Sequence, residues 1–169
     1  PGVPLEPGKI IETNSLVMAR LVSEWGGLPS RLPIVPDEFE AIRDAVTEAL
    51  ASHDIVLLNA GSSAGSRDYT ARVVQALGEL LVHGVAIRPG HPVVLGVAEG
   101  KPVMGIPGYP VSCVLTMELL VKPVIQRLLG VADLPRPRLA ATMTRKVLSP
   151  MGQDEFLRVK LGRVGGRYV

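Results

Sequence analysis

The sequence contains little cysteine, few aromatic residues and no long apolar run. Cys113 is the only cysteine among 169 residues, which excludes an internal disulfide and a cysteine-based zinc site. Aromatic residues make up 4% of the chain, too few for the stacking surface that holds single-stranded nucleic acid. No apolar run reaches the roughly 18 residues that a membrane-spanning helix needs. We therefore expect neither a nucleic-acid partner nor a membrane.

Charge and motifs exclude further classes. The net charge is only +2, and the basic residues do not cluster before the C-terminal third, so there is no electrostatic footprint for DNA. His53, His83 and His91 lack metal-ligand spacing. No GxGxxG, GxxxxGK[ST] or GxSxG motif is present, which disfavours Rossmann dinucleotide binding, P-loop chemistry and a serine-nucleophile elbow. Cys113 opens a helix, where its pKa could be lowered, but a small buried thiol is the favoured reading.

The composition predicts a packed globular protein. Apolar residues make up 47% and charged residues 20% of the chain, typical of a folded domain. The length allows one good domain and part of another. The opening residues Pro1–Gly8 are typical of a loop inside a longer protein. We expect a fragment of a larger cytoplasmic protein.

Hydrophobic periodicity predicts alternating helices and strands. The predicted helices and strands are a helix from Thr13–Asn14 to Trp25, a short strand at Ser30–Val35, a helix after Pro36–Asp37, a strand at Ile55–Leu58, a helix at Thr70–Leu77, β segments at Glu79–Ile87, Val93–Val97 and Val103–Ile106, and a helix at Val111–Leu129. This alternation predicts a three-layer α/β domain with a mostly parallel sheet over residues 1–132.

A second unit is predicted after a proline-rich linker at 132–138. The segments Leu139–Val147 and Glu155–Val164 alternate like antiparallel strands around a turn at Ser149–Gly152. Residues 133–169 therefore read as the start of a small all-β domain that the fragment truncates.

The most informative segment is the Gly/Ser loop from Asn59 to Thr70, between a strand and a helix. Small residues let backbone N–H groups approach a phosphate, and the helix N-terminus favours negative charge. Asp68 would repel the phosphate unless a cation lay between them, which suggests Mg²⁺. The alternative is an exposed turn in which Asp68 caps the helix.

Two further loops have anion-binding chemistry. Arg88 and His91 flank a Pro-Gly turn, where Arg88 can hold an oxyanion with two hydrogen bonds. Gly105–Ser112 carries a strand into a helix through Pro107, Gly108 and Pro110. Taken alone, the Arg88 loop is better explained as an ordinary turn with an exposed arginine, and the Pro107–Pro110 loop is explained equally well as a structural turn. Together they would meet at one strand-end edge, where open α/β sheets bind ligands.

These loops, in this order, resemble the molybdopterin molybdenumtransferases (MoeA, the gephyrin E domain). The family's "SGGVSVGxxDYT" corresponds to Asn59–Thr70, "KPGKP" to residues 88–92, "PGNPVS" to residues 107–112, and an early "DTN" to residues 12–14. The departures are Ala60 for a glycine, Arg88 and His91 for two lysines, and Tyr109 for an asparagine. The family's "TGDE" strand is absent, so its acid is not assigned.

The resemblance implies a MogA-like domain followed by a small β-barrel-like domain. The implied reaction is insertion of molybdate or tungstate into adenylylated molybdopterin with Mg²⁺ and release of AMP, by a homodimer. Asp68 would be the catalytic and metal-binding residue. The implied cofactor-binding residues are Asn14, Gly61, Ser62, Ser63, Gly65, Ser66, Arg88, His91, Pro107, Gly108, Pro110 and Ser112.

Two alternatives remain open. The chain could belong to a non-catalytic pterin- or anion-binding module of a larger sensor or scaffold protein. The related adenylyltransferase step is less favoured, because the β segment after residue 138 counts against it. In the enzyme reading, the fragment alone is expected to be inactive, since other domains complete the site.

Overall fold

The computed structural model of the chain describes Leu5 and residues 8–60, 69–131 and 137–169. The helices are α1 (Asn14–Glu24), α2 (Phe39–Ser52), α3 (Tyr69–Leu77), α4 (Pro110–Thr116) and α5 (Lys122–Leu128). The strands are β1 (Val56–Ala60), β2 (Gly78–His83), β3 (Ile87–Arg88), β4 (Val94–Ala98), β5 (Lys101–Pro107), β6 (Asp154–Glu155), β7 (Arg163–Val164) and β8 (Arg167–Tyr168). No helix in these ranges is both long and apolar enough to span a bilayer.

Four strands form the central sheet, in the order β1-β5-β4-β2. β1 runs parallel to β5, whereas β4 is antiparallel to both β5 and β2. The predicted α/β domain is present, with more antiparallel pairing among the described strands than we expected. The physical reason is the connection between β4 and β5: the two residues Glu99–Gly100 permit a hairpin but are too short for a crossover.

Helices cover both faces of this sheet. On one face α2 and α3 pack against alternate residues of the strands, including Val56 and Val103. On the other face α1, α4 and α5 pack against the intervening residues, including Met104 and Ile106. Both faces of β1 and β5 are therefore apolar, which explains the continuous apolar runs in the sequence.

The predicted long helix after β5 contains a π-helical turn, Met117–Val121, between α4 and α5. The N–H of Lys122 donates to the carbonyl of Met117, five residues earlier. Pro123 follows, and in a regular α-helix its ring would clash with the carbonyl four residues before it. The wider turn relieves that clash and lets the helix continue to Leu128.

Two predicted strand regions are wrong. Ser30–Val35 contains no strand, because Pro29, Pro33 and Pro36 remove backbone donors along the segment. Leu139–Val147 is exposed and forms no strand, although the N–H of Thr142 donates to the carbonyl of Tyr168 (3.0 Å). Of the predicted strand Glu155–Val164, only the two ends lie in strands.

The strands after the linker, β6, β7 and β8, are each two residues long. β7 and β8 form a hairpin, and β6 pairs in parallel with β3 of the α/β part. Alternation predicts a strand only where a sheet is present to cover one face. That residues 133–169 begin a separate β domain stays a prediction.

Candidate functional site

Three strand ends place the predicted loops at one edge of the sheet. Asn59 and Ala60 lie in register with Ile106 and Pro107, so the loop after β1 and the turn after β5 begin side by side. The end of β2 and the start of β4 lie beside the end of β5, because His83 pairs with Val94 and Val94 pairs with Gly105. The connection that carries Arg88 and His91 therefore leaves and re-enters the sheet at this same edge.

A hydrogen-bond network joins the start of α1 to two of these strand ends. The buried side chain of Asn14 donates from Nδ2 to Asn59 Oδ1 (3.1 Å) and to the carbonyl of Gly108 (2.8 Å). Asn59 in turn donates from Nδ2 to Glu12 Oε1 (3.0 Å). These residues are 45 to 94 positions apart in the chain. Asn14 thus links the end of β1, at Asn59, to the Pro107–Pro110 turn, at Gly108.

Glu12 caps α1 in place of the predicted Thr13 and Asn14. Its carboxylate accepts bonds from the backbone N–H of Ser15 (2.7 Å) and from the Ser15 hydroxyl. Neither predicted residue makes this cap: Thr13 has no side-chain capping bond, and Asn14 turns toward the loops. Ser15 lies only three residues after Glu12, so this cap is a local contact, whereas the bond from Asn59 to Glu12 depends on the tertiary fold.

The pKa of Glu12 lies below its ordinary value. Burial acts in the opposite direction, but the hydrogen bonds from Ser15, the positive charge of Arg31 and the Asn14 backbone together outweigh it. Arg31 Nε also donates to the Ser15 hydroxyl (3.0 Å). Glu12 is therefore a fixed negative charge beside the strand ends at neutral pH.

Arg88 and His91 lie on the connection between β2 and β4. The Arg88 side chain is exposed. The Nδ1 atom of His91 lies 2.8 Å from the carbonyl oxygen of Val85. Because a carbonyl only accepts, Nδ1 carries a hydrogen and Nε2 is the ring atom left for a ligand. The buried Gly90 between them has a φ of +113°, a conformation that favours glycine.

The turn after β5 has buried residues at its two ends and exposed residues between them. Pro107 and Ser112 are buried, whereas Gly108 and Pro110 are exposed. Cys113, next in the helix, is fully buried, and burial followed by the charge of Glu12 raises its pKa to about 11. The thiol is thus a neutral core group, as the sequence favoured, and not a nucleophile.

The central loop falls outside the described residues. Asp68 and the cofactor-binding candidates Gly61, Ser62, Ser63, Gly65 and Ser66 all lie in residues 61–68. Its two ends are placed by Asn59 on β1 and by Tyr69 at the start of α3. The roles predicted for the loop residues stay predictions.

A cavity of about 790 Å³ runs beside β1, between α1, α2 and residues 28–35. Its polar end includes Glu12, Ser15 and Asn59, and the rest is lined mostly by apolar side chains of the two helices. Arg88, His91 and the Pro107–Ser112 turn do not line it. Among the described strands β1 pairs on one side only, with β5. The cavity therefore follows an unpaired strand edge, and among the described residues it meets the predicted motifs at Glu12, Asn59, Tyr69 and Thr70.

No group of three or more His, Cys, Asp or Glu side chains in the described ranges is arranged to hold a metal ion. Glu12, the acid of the network, already accepts hydrogen bonds from Ser15 and Asn59. A cation at Glu12 would have to compete with these donors. The described residues therefore do not by themselves build the Mg²⁺ site that the sequence predicted at Asp68.

A family model described as "Probable molybdopterin binding domain" matches residues 2–127. A molybdopterin molybdenumtransferase of Nostoc is 31% identical over 170 residues, which cover 98% of this chain and 39% of that protein. Molybdopterin molybdenumtransferase 2 of Mycobacterium tuberculosis is 29% identical over 178 residues, covering 100% of this chain and 43% of that protein.

A solved structure of the same family has the same fold. The crystal structure of a molybdopterin biosynthesis MoeA protein from Pyrococcus horikoshii superposes with a TM-score of 0.69 at 39% identity, covering 77% of this chain and 32% of that one. The predicted MogA-like α/β fold and the family resemblance are thereby confirmed. The chain spans less than half the length of these relatives.

Proposed function

This chain belongs to the family of molybdopterin-binding domains, and we propose that it forms the pterin- and anion-binding part of a molybdenumtransferase of molybdenum cofactor biosynthesis. The reaction would insert molybdate or tungstate into adenylylated molybdopterin and release AMP. The observation that carries the proposal is that three loop ends lie at one sheet edge and that Asn14 joins two of them, at Asn59 and Gly108. The names of the relatives support the chemistry assigned to it.

Backbone amides and a charged side chain would bind different anionic groups of the ligand. The amides of Gly61–Gly65 would hold a phosphate, because a Gly/Ser loop before a helix presents N–H groups to an anion. Arg88 would supply the permanent positive charge for a second anionic group, and its exposed guanidinium is free to form two parallel bonds. Nε2 of His91 would accept a hydrogen bond from the ligand.

The turn from Pro107 to Ser112 would line the pterin and oxyanion end. Gly108 brings backbone close to the ligand, and its carbonyl already accepts a bond from Asn14. Asn14 is then a positioning residue, since it acts through the turn and through Asn59. Mg²⁺, held by Asp68, would supply charge neutralisation between phosphate and protein.

The whole enzyme would act in the cytoplasm as a homodimer, with molybdopterin and molybdate or tungstate as substrates. Other domains would complete catalysis, because the chain covers only 39% to 43% of its transferase relatives. We therefore expect residues 1–169 to bind a phosphorylated pterin weakly and to release no AMP.

An AMP-release assay tests the transferase function. The complete protein is expected to release AMP from adenylylated molybdopterin only when molybdate or tungstate is added, and the Arg88→Ala variant to do so with much reduced efficiency. Arg20→Ala is the matched control, because Arg20 is an exposed arginine that pairs with Glu24 on α1. Tight pterin binding without any AMP release would instead favour the non-catalytic module.

A further inference from the structure

The C-terminal segment brings an acidic residue into contact range of the proposed site. β6 pairs in parallel with β3, with Glu155 in register with Arg88 and Asp154 in register with Ile87. Backbone bonds of 2.8 Å join Asp154 N to the Ala86 carbonyl and Phe156 N to the Arg88 carbonyl. The register is thus fixed on both sides of Glu155.

In-register residues on neighbouring strands present their side chains on the same face, with the strands roughly 4.8 Å apart. The carboxylate of Glu155 and the long side chain of Arg88 therefore share one face of this pair. In this structure they do not meet: no ion pair joins these two described residues, and the Arg88 side chain is exposed.

Glu155 is left in an unfavourable state by this arrangement. Its Oε2 atom is buried and has no hydrogen-bond partner within the described ranges. A carboxylate oxygen that has lost water and gained no donor is destabilising, so an arrangement that supplies a donor is favoured. The guanidinium of Arg88 carries five donors and lies on the neighbouring strand.

We propose that Arg88 alternates between two exclusive partners, the carboxylate of Glu155 and the anionic group of a ligand. The exposed side chain of Arg88, unpaired with Glu155, is the ligand-ready arrangement, and a side chain paired with Glu155 is the resting arrangement. Glu155 is then a specificity-determining residue that lowers the affinity for weak anions. The inference rests on the proposed function only in taking Arg88 as the anion-binding side chain.

Pairing with Glu155 is expected to lower the affinity of Arg88 for an anionic ligand, because one guanidinium serves both partners. The apparent dissociation constant rises in inverse proportion to the fraction of Arg88 that is free, so releasing it is expected to tighten binding by about three- to tenfold. Glu155→Gln keeps the side-chain shape and removes the charge. Asp154→Asn is the matched control, because it removes one negative charge from the adjacent, exposed position on the same short strand.

The first experiment titrates molybdate, and separately inorganic phosphate, into the full chain. Glu155→Gln should bind both anions more tightly than the parent by the stated factor, whereas Asp154→Asn should stay within about twofold. In an Arg88→Ala background, Glu155→Gln should have no effect. Equal effects of the two acid substitutions, or tightening that persists without Arg88, would overturn the proposal.

The second experiment needs no ligand and separates this proposal from the proposed function. The Nε–Hε NMR signal of Arg88 is recorded in the parent and in both variants, without any anion present. A shift with Glu155→Gln but not with Asp154→Asn supports the resting pair even if no anion binds the chain. An unchanged Arg88 signal in a folded Glu155→Gln sample rules the pair out.

Discussion

Replacing Asn14 with alanine removes the side chain that ties two loops to the start of α1. The amide donates to Asn59 Oδ1 at 3.1 Å and to the Gly108 carbonyl at 2.8 Å, from a position only 6% exposed. Each bond contributes about 0.5–1.5 kcal/mol net. The exposed Gly108 carbonyl can recover water, but half-buried Asn59 recovers less. We therefore expect Asn14→Ala to lower the free energy of unfolding by roughly 1–2 kcal/mol.

The matched control for this substitution is Thr13→Ala. Thr13 occupies the N-cap position of α1 but makes no side-chain capping bond. Its replacement should change stability by less than about 0.5 kcal/mol, as at an ordinary surface position, and not by the ~1 kcal/mol typical of a cap. Urea unfolding followed by circular dichroism measures both, with an unchanged m-value as the check on two-state behaviour. Equal losses for the two variants would show that the Asn14 bonds to Asn59 and Gly108 add no stability of their own.

Three further predictions concern the packing and charge around the site. Because burial raises the pKa of Cys113 to about 11, iodoacetamide at pH 8 should leave the folded protein unmodified and label it only in urea; rapid labelling of the native state would contradict this. The pKa of Glu12 is lowered from 4.5, so its stabilisation is present above pH 4.5 and is lost as the pH falls through the folded value. The stability difference between the parent and Glu12→Gln should therefore shrink in acid, and a difference that does not vary between pH 7 and pH 3 would be inconsistent. Gly90→Ala places a Cβ 3.2 Å from both Ile87 Cδ1 and Thr116 Oγ1 at a φ of +113°, which should cost about 1–3 kcal/mol in urea unfolding; a neutral result would show that the turn relaxes freely.

The helices and central strands were predictable because their signals are local. Apolar residues at helical spacing gave the helix from Asn14 and the helix ending at Leu77, and the run before Asn59 gave β1. These segments are covered on their apolar faces by the rest of the fold, so pattern and structure agree. The strand predicted at Ser30–Val35 is wrong. The apolar pattern carries no information about the backbone N–H groups that proline lacks, and a strand needs these groups for pairing.

The site was predictable only in part. The motifs placed Arg88, Gly108 and the central loop at strand ends, and the topology brings those ends to one edge. The network through Glu12 and Asn59 was missed as a network, because its bonds join positions 47 residues apart and no local pattern encodes such a pair. A polar residue at the end of an apolar strand, as Asn59 is, was the available signal.

The position of Glu155 had no sequence signal. Its approach to Arg88 depends on the register between β6 and β3, which are each two residues long and 67 positions apart by their first residues, Asp154 and Ile87. Such short pairing is set by the surrounding fold and not by strand propensity. Register of this kind is available only from a structure.

Calorimetric titration of the folded chain with adenylylated molybdopterin is the sharpest test that Arg88 belongs to a pterin- and anion-binding site. Binding should be saturable, and Arg88→Ala should weaken it by roughly ten- to a hundredfold, the loss expected for a charge-assisted pair of about 1.5–3 kcal/mol, while Arg20→Ala leaves the affinity unchanged. Failure of the folded parent chain to bind, or equal affinities of these two arginine variants, would contradict it.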